Sequence, residues 1–522
     1  MTLEERAASL SRDEVVSLLI SHQEVTTHNA ELQRQLEWFK RQLFGTKSER
    51  RVVEPDARQL GLGGVLAGEK PVSAPTETVK AYPRRRRKEP WEGTPEDSGL
   101  RFDPATVPME VIEVSNPETE GLSEDSYEVV DEKVTYRLAQ RPGTYVVLKY
   151  QRPVVKLKEE SRLSCPPAPP AVVEKSYADV SFLAGLLIDK FRYHLPLYRQ
   201  HQRLEACGIK LSRATLTNLV HRTAELLEPI YESQLGSVLE SQVVAMDETP
   251  IKAGRKKRGK MQSAYFWPVY GDRDEVVFPF STTRAGRMVQ ETLREFCGVL
   301  LSDGYQVYDR YAETMNGLVH AQCWAHVRRK FVEAETSEPV LCGEALDRIK
   351  ELYEQEKAIR KKGLEGERKL AHRGERSKPI VDAFFEWLQE SFEKQILLPS
   401  NPFTAAANYA LEREDALKVF LEYPEVAIDT NHLERQIRPI ALGRKNWLFC
   451  WTEVGAKYVG IVQSLLLTCR LHGVDPYTYL VDVLQRVDSH PASQVAELTP
   501  RLWKERLAQT PLRSSIDRPR GP

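Results

Sequence analysis

The stretch Gln242-Val243-Val244-Ala245-Met246-Asp247-Glu248-Thr249-Pro250 turns from an apolar run to an acid, and Val299-Leu300-Leu301-Ser302-Asp303 does the same farther along. Short apolar runs bounded by turn residues read as buried strands, so Asp247 and Asp303 each stand at a strand end. Around them the pattern predicts strands over 241–246, 264–270 and 275–280, joined by a basic loop and by Gly271-Asp272-Arg273-Asp274. A helix over 284–296 leads to the strand before Asp303, and 318–321 reads as a fifth strand. That order brings Asp247 and Asp303 side by side at one sheet edge. Taken singly, each is also an ordinary turn residue at the end of a strand.

A third acid comes from Asp429-Thr430-Asn431-His432-Leu433-Glu434-Arg435-Gln436-Ile437-Arg438-Pro439, followed by Gly443-Arg444-Lys445-Asn446-Trp447-Leu448-Phe449. Glu434 falls on a helical turn among Arg435, Arg438, Arg444 and Lys445, so a group able to hold a cation lies beside groups able to hold phosphate. Magnesium takes hard oxygen ligands in near-octahedral geometry, usually a few carboxylates with substrate phosphates and waters. Three acids from separate element ends could hold two such ions roughly 3.5–4 Å apart, one activating the attacking oxygen and one stabilising the leaving oxygen. No Ser, Cys or His nucleophile is then required. The pattern is that of a nuclease-like phosphodiester chemistry using Mg2+ or Mn2+.

The chain resembles transposases of the insertion sequence 66 family, a group of bacterial DDE transposases, over most of its length. The resemblance is carried by residues 36–50, by His194-Leu195-Pro196-Leu197-Tyr198-Arg199, by Met246-Asp247-Glu248-Thr249-Pro250 and by Ser302-Asp303-Gly304-Tyr305. Its longest stretches are Cys323-Trp324-Ala325-His326-Val327-Arg328-Arg329-Lys330-Phe331 and the block from Asn431 to Phe449. It implies an α/β fold with a ribonuclease-H-like core, magnesium dependence, and a catalytic, metal-holding triad of Asp247, Asp303 and Glu434. The implied activity is cutting and joining of DNA at transposon ends. Members often carry a Cys-rich zinc module before the core, but here residues 98–165 contain only Cys165, and the chain has no Cys-x-x-Cys pair. A structural zinc site needs about four N/S ligands, so zinc is not expected. His320-x-x-Cys323-x-x-His326 also lacks a fourth ligand. His326 and Arg329 are read instead as lining the cleft near Asp303, where the resemblance places a basic helix.

Net charge is −1, yet charge is segregated. Basic clusters stand at 84–88, at Arg255-Lys256-Lys257-Arg258 with Lys252 and Lys260, at Arg328-Arg329-Lys330 and around Arg444-Lys445, while acids concentrate over 89–132. A local basic face is what phosphate binding and counterion release need, and the sum does not test it. Lys256, Lys257, Arg258, Arg438, Arg444 and Lys445 are the candidate phosphate ligands, with Trp447 able to stack on an unpaired base.

The 522 residues and apolar fraction of 41% suffice for several domains and a buried core. No run of about 18 apolar residues and no charged-then-apolar N-terminus is present, so neither a membrane span nor a secretory signal is expected. Seven scattered Cys suit a reducing cytoplasm, and the resemblance implies a bacterial one. Residues 1–50 read as a helical, coiled-coil-like segment for self-association and 51–97 as a flexible linker. Residues 98–170 read as a small β module, with strands at 145–150 and 154–157 separated by Pro153. Residues 171–235 form a helix-turn-helix outline, with Ser212 as N-cap, that fits DNA reading or plain bundle packing. The catalytic domain spans 236–470 with a helical insertion at 328–423, broken near Gly363, Gly366 and Gly374, and 471–522 holds a short helix and a disordered tail. Expected partners are transposon-end and target DNA, a second copy of the chain, and small companion proteins of the element. The rival readings are a DNA-binding regulator with a silent core and an assembly protein.

Overall fold

The computed structural model describes residues 100–517 apart from 103–106, 124–125, 142, 159–161, 258–259, 395–400, 448–449 and 451. The coiled-coil segment and linker expected over 1–50 and 51–97 lie outside the described residues. Strand β1 (Arg101–Phe102) precedes a β module of β2 (Met109–Glu113), β3 (Tyr127–Arg141), β4 (Thr144–Leu157) and β5 (Arg162–Ser164). β3 and β4 make a long antiparallel hairpin; β2 lies parallel and β5 antiparallel against β4. Pro153 does not separate two strands as expected. It falls in the interval between the ladder to β2, ending at Gln151, and that to β5, starting at Val155, where a missing N–H loses no bond on that edge.

Helices α1 (Val180–Leu187), α2 (Leu197–Ala206), α3 (Arg213–Leu226) and α4 (Glu228–Leu239) follow. The Ser212 hydroxyl accepts the Thr215 N–H at 3.0 Å, capping α3 as its residue type predicts. The turn before it holds a two-residue strand, β6 (Ile209–Lys210), paired antiparallel with β1. Leu216, Leu219, Val220 and Ala224 of α3 are buried.

Next along the chain come β7 (Val243–Met246), the hairpin β8 (Thr249–Lys257) and β9 (Lys260–Phe266), β10 (Val269–Gly271), β11 (Glu275–Val277), the short β12 (Phe280–Ser281), β13 (Val299–Ser302) and β14 (Val319–Gln322), and the central sheet is built of β7, β10, β11, β13 and β14. Its order is β11-β10-β7-β13-β14. The first two are antiparallel steps from β7, while β13 and β14 run parallel to it. The expected single strand over 264–270 is broken at Trp267-Pro268: its first part belongs to a separate sheet of β12, β9 and β8. The basic segment read as a loop is that hairpin. Its alternation is plain in retrospect, Ile251 and Ala253 buried and Pro250 and Lys252 exposed, which is the period-two signature of a half-buried strand.

The crossover helix is shorter than expected, α5 (Arg287–Leu293), and α6 (Gln306–Thr314) lies between β13 and β14. The insertion comprises α7 (Trp324–Ala334), α8 (Pro339–Lys362), α9 (Gly366–His372), α10 (Lys378–Lys394), α11 (Pro402–Leu411) and α12 (Glu414–Lys418). Gly363 ends α8 in the left-handed conformation, φ +59°. Gly374 breaks nothing, because a π turn over Arg373–Ser377 carries the chain from α9 into α10. Helices α13 (Asn431–Trp447), α14 (Glu453–Leu471), α15 (Pro476–Arg486) and α16 (Pro500–Arg506) complete the chain. As far as residue 517 the tail is not the disordered end expected. Trp503 is buried and donates to the buried Asp482 carboxylate at 2.6 Å, and the Ser514 hydroxyl donates to Asp179 at 2.6 Å. One hydrophobic core runs from Leu100 to Trp503.

Candidate active site

Adjacent parallel strands present the two aspartates. Leu301 of β13 pairs with Ala245 of β7, so two residues on, at the same ends of the strands, Asp303 comes level with Asp247. The Asp247 N–H donates to the Pro268 carbonyl at 3.3 Å and its Oδ1 accepts the Glu248 N–H at 2.7 Å. Asp303 Oδ1 accepts the Tyr305 N–H at 3.0 Å, closing a tight turn into α6. Gly304 lets the insertion approach closely here. A Cβ would come within 2.2 Å of the Tyr409 hydroxyl, because α11 of the insertion packs directly on this turn.

Burial pushes the Asp247 carboxyl up to about 7 from its ordinary 3.8, and the negative charges of Asp303, Glu248 and Glu434 add to the rise. All three predicted acids therefore share one electrostatic neighbourhood. Glu434 stands in the first turn of α13, where Glu434 Oε1 is 3.6 Å from the Arg329 guanidinium and 3.9 Å from His326 Nε2. Both partners come from α7, which follows β14 directly. The His326 imidazole is pushed down by burial, against the pull of Asp303 and Glu434, and its Nδ1 is buried without a hydrogen-bond partner.

Among the described residues no three His, Cys, Asp or Glu are gathered closely enough to hold an ion as they stand. The donor chemistry nevertheless fits a hard divalent cation. Asp247 and Asp303 offer only oxygen, and the like charges around Asp247 are what a cation would relieve. Glu434 departs from a ready triad because Arg329 and His326 hold it.

A second buried acid escaped the sequence reading. The Glu248 side chain is 5% exposed, accepts from Arg284 Nε at 3.0 Å and from the Tyr308 hydroxyl at 3.0 Å, and Arg284 stacks on Tyr305 at 4.3 Å. Its only signal was adjacency to Asp247; its partners lie in the connection to α5 and in α6, beyond any local pattern.

The predicted DNA-binding residues divide. Lys256 and Lys257 are exposed on β8, and Arg258 lies outside the described residues. Arg329 is half exposed and Lys445 exposed. Arg444 is not a free clamp: its guanidinium donates to the Pro250 carbonyl of β8, and burial lowers its pKa. Arg438 opens, with Arg435, on a cavity beside α14. Trp447 ends α13, and its side chain is outside the described residues.

The raised Asp247 pKa has a direct test. The unfolded carboxyl ionises near 3.8 and the folded one at about 7, so the penalty for a buried charge is absent below pH 4, grows between those values and is full above 7. Asp247→Asn is expected to melt higher than the wild type at pH 8 in chelator, by no more than about 4 kcal/mol of stability. The difference should vanish below pH 4. An equal or lower melting temperature for the variant at pH 8 would show the carboxylate to be unstrained.

A family model described as Transposase IS66 family matches residues 175–458, spanning all three acids. The IS66 C-terminal element matches residues 464–501, and a model described as Transposase C of IS166 homeodomain matches residues 31–96. The chain belongs to the IS66 transposase family. It is 30% identical over 513 residues to the uncharacterized protein y4hP of Sinorhizobium fredii, covering 92% of this chain and 90% of that protein. It is 31% identical over 355 residues to y4jD of the same organism, covering 65% and 68% of the two chains. Family membership implies DNA binding. No helix among the described residues is long and apolar enough to cross a membrane.

Proposed function

We propose that the chain is a DDE transposase with a ribonuclease-H-like core, cleaving DNA at transposon ends and joining the freed ends to target DNA. The supporting observation is the pairing of Asp247 and Asp303 at neighbouring parallel strand ends, with Glu434 close enough to raise the Asp247 pKa. The strand order β11-β10-β7-β13-β14, with its antiparallel half and parallel half, supports the fold reading.

Asp247 and Asp303 would hold divalent cations, Mg2+ or Mn2+, with Glu434 joining them on leaving Arg329 and His326. When bound, a pair of such ions supplies activation of the attacking oxygen and stabilisation of the leaving one. Arg329 and His326, released from Glu434, face the same space and can meet the phosphate. Glu248, tied to Arg284 and Tyr308, holds the end of β7 in place. Arg444 on Pro250 fixes α13, and so Glu434, against β8. Cleavage and joining are both in-line displacements at phosphorus, so one carboxylate cluster positions the reacting groups for each. Cleavage of labelled end-sequence duplex in Mg2+ tests the reading. End binding without cleavage in Mg2+ or Mn2+ would instead favour the regulator with a silent core, the reading that the hold of Arg329 and His326 on Glu434 supports.

The exposed hairpin and Arg444, tied to the Pro250 carbonyl, separate in a salt titration. Replacing Lys256 and Lys257 by Ala is expected to lower the log-log salt slope of duplex binding by about 0.9 for each phosphate no longer neutralised. Arg444→Ala should leave the slope unchanged and lower the melting temperature. A slope unmoved by the lysine pair would remove the hairpin from the DNA face.

A further inference from the structure

A cavity of about 420 Å³ opens between α13, α14 and the segment joining α1 to α2. Four arginines line it: Arg192, Arg435, Arg438 and Arg470. Among the described residues its lining contains no acid, and Arg192, Arg435 and Arg438 have no ion pair with any described carboxylate. Clustered guanidinium groups repel one another, so an arginine-only rim without counter-charge is the arrangement of an anion site. The floor is different in kind. Leu466, Leu467, Val474 and Pro439 face the cavity, and Leu442 at its edge is 43% exposed.

Two backbone features mark the same place. His194, first residue of the His194-Leu195-Pro196-Leu197-Tyr198-Arg199 motif, lines the cavity in a left-handed conformation, φ +56°, with its Nδ1 buried and unpartnered. A β-substituted residue held at positive φ is strained and is retained where the surroundings over-determine it. Pro439 lies inside α13 and lines the cavity, and it has no N–H to give the Arg435 carbonyl four residues back.

We propose that this cavity binds one unstacked nucleotide unit, its base on the apolar floor beside the His194 ring and its phosphate on the arginine rim. An apolar face with arginines above it matches an exposed base and its phosphate, whereas a duplex has no free base to offer. The nucleotide could be an extrahelical residue of a DNA strand or a free nucleoside monophosphate. The inference rests on the transposase reading only for the first of these sources.

The test uses the full chain carrying Asp247→Asn, so that no probe is cleaved. Binding is measured by fluorescence anisotropy to a labelled duplex with a short single-stranded thymidine tail and to the same duplex blunt, with AMP as competitor. Arg192→Gln combined with Arg438→Gln should weaken tailed-duplex binding by about tenfold or more and blunt-duplex binding by less than about twofold, the scale of a lost charged hydrogen bond. Leu442→Asp, on the exposed edge, should lower tailed-duplex binding selectively without touching the arginines. Displacement of the tail by AMP assigns the site to the nucleotide unit whatever its source; tail binding that resists AMP assigns it to the strand. Equal losses for tailed and blunt duplex, or none for either, would overturn the proposal. If wild-type protein cleaves no end yet keeps the arginine-dependent preference for the tail, the cleavage reading falls and the cavity assignment stands.

Discussion

Replacing Asp247 or Asp303 by Asn, or Glu434 by Gln, is expected to remove strand cleavage while leaving end binding within a few-fold. Each change keeps the shape of the side chain and deletes a negative charge, so the loss falls on cation holding rather than on phosphate binding. Loss of one preorganised electrostatic group of this kind lowers a rate on the order of 10²–10³-fold. The burial of Asp247 supplies a second readout that needs no reaction. Mg2+ should raise the melting temperature of the wild type at pH 8, because a ligand that binds only the folded state stabilises it by mass action, and should not raise that of Asp247→Asn. Cleavage surviving in any one variant would remove that residue from the triad. A wild type indifferent to Mg2+ would argue that the acids hold no cation.

The largest loss of stability is expected at Arg373, far from the acids in sequence. Its side chain is fully buried and grips both oxygens of Glu356, at 2.8 and 2.9 Å. It also donates to the carbonyls of Phe420, Tyr423 and Val426 at 2.6, 3.1 and 3.0 Å. Those carbonyls belong to the segment that enters α13, and Trp324 and Cys323 grip its next residues: the Trp324 N–H donates to Ile428, and the Cys323 sulfur accepts from the Thr430 N–H. Arg373→Met would leave Glu356 charged and three carbonyls unpaired, costing about 3–5 kcal/mol. The double variant Arg373→Met, Glu356→Leu should recover much of that by urea unfolding. Where the single variant stays folded, cleavage should also fall, because Glu434 begins from the chain that Arg373 anchors. A change below about 1 kcal/mol would mean the pair is balanced by its own desolvation.

The tertiary network around Arg373 explains why the insertion could be read as helical but not assigned a purpose from its pattern. The charged, glycine-spotted stretch around Gly374 predicted a break, and a π turn carries the helix through it because Arg373 finds its partners inside. Likewise Trp503 and Asp482 convert a Pro-rich end into packed structure, an outcome set by partners a long way off in the chain.

What the sequence by itself determined is local: the apolar runs that make β7 and β13, the acids that end them, the Ser212 cap of α3, and Glu434 on a helical turn among basic residues. These follow from side-chain period and turn chemistry, which act over a few residues. The tertiary structure alone decided that Arg444 is spent on Pro250, that Glu248 is held by Arg284 and Tyr308, and that Arg192 and Arg470 join Arg435 and Arg438 around one cavity. Each of these joins groups from distant elements, and which charges meet, are buried or are left unpaired is settled only when the sheet, the insertion and α13 pack together.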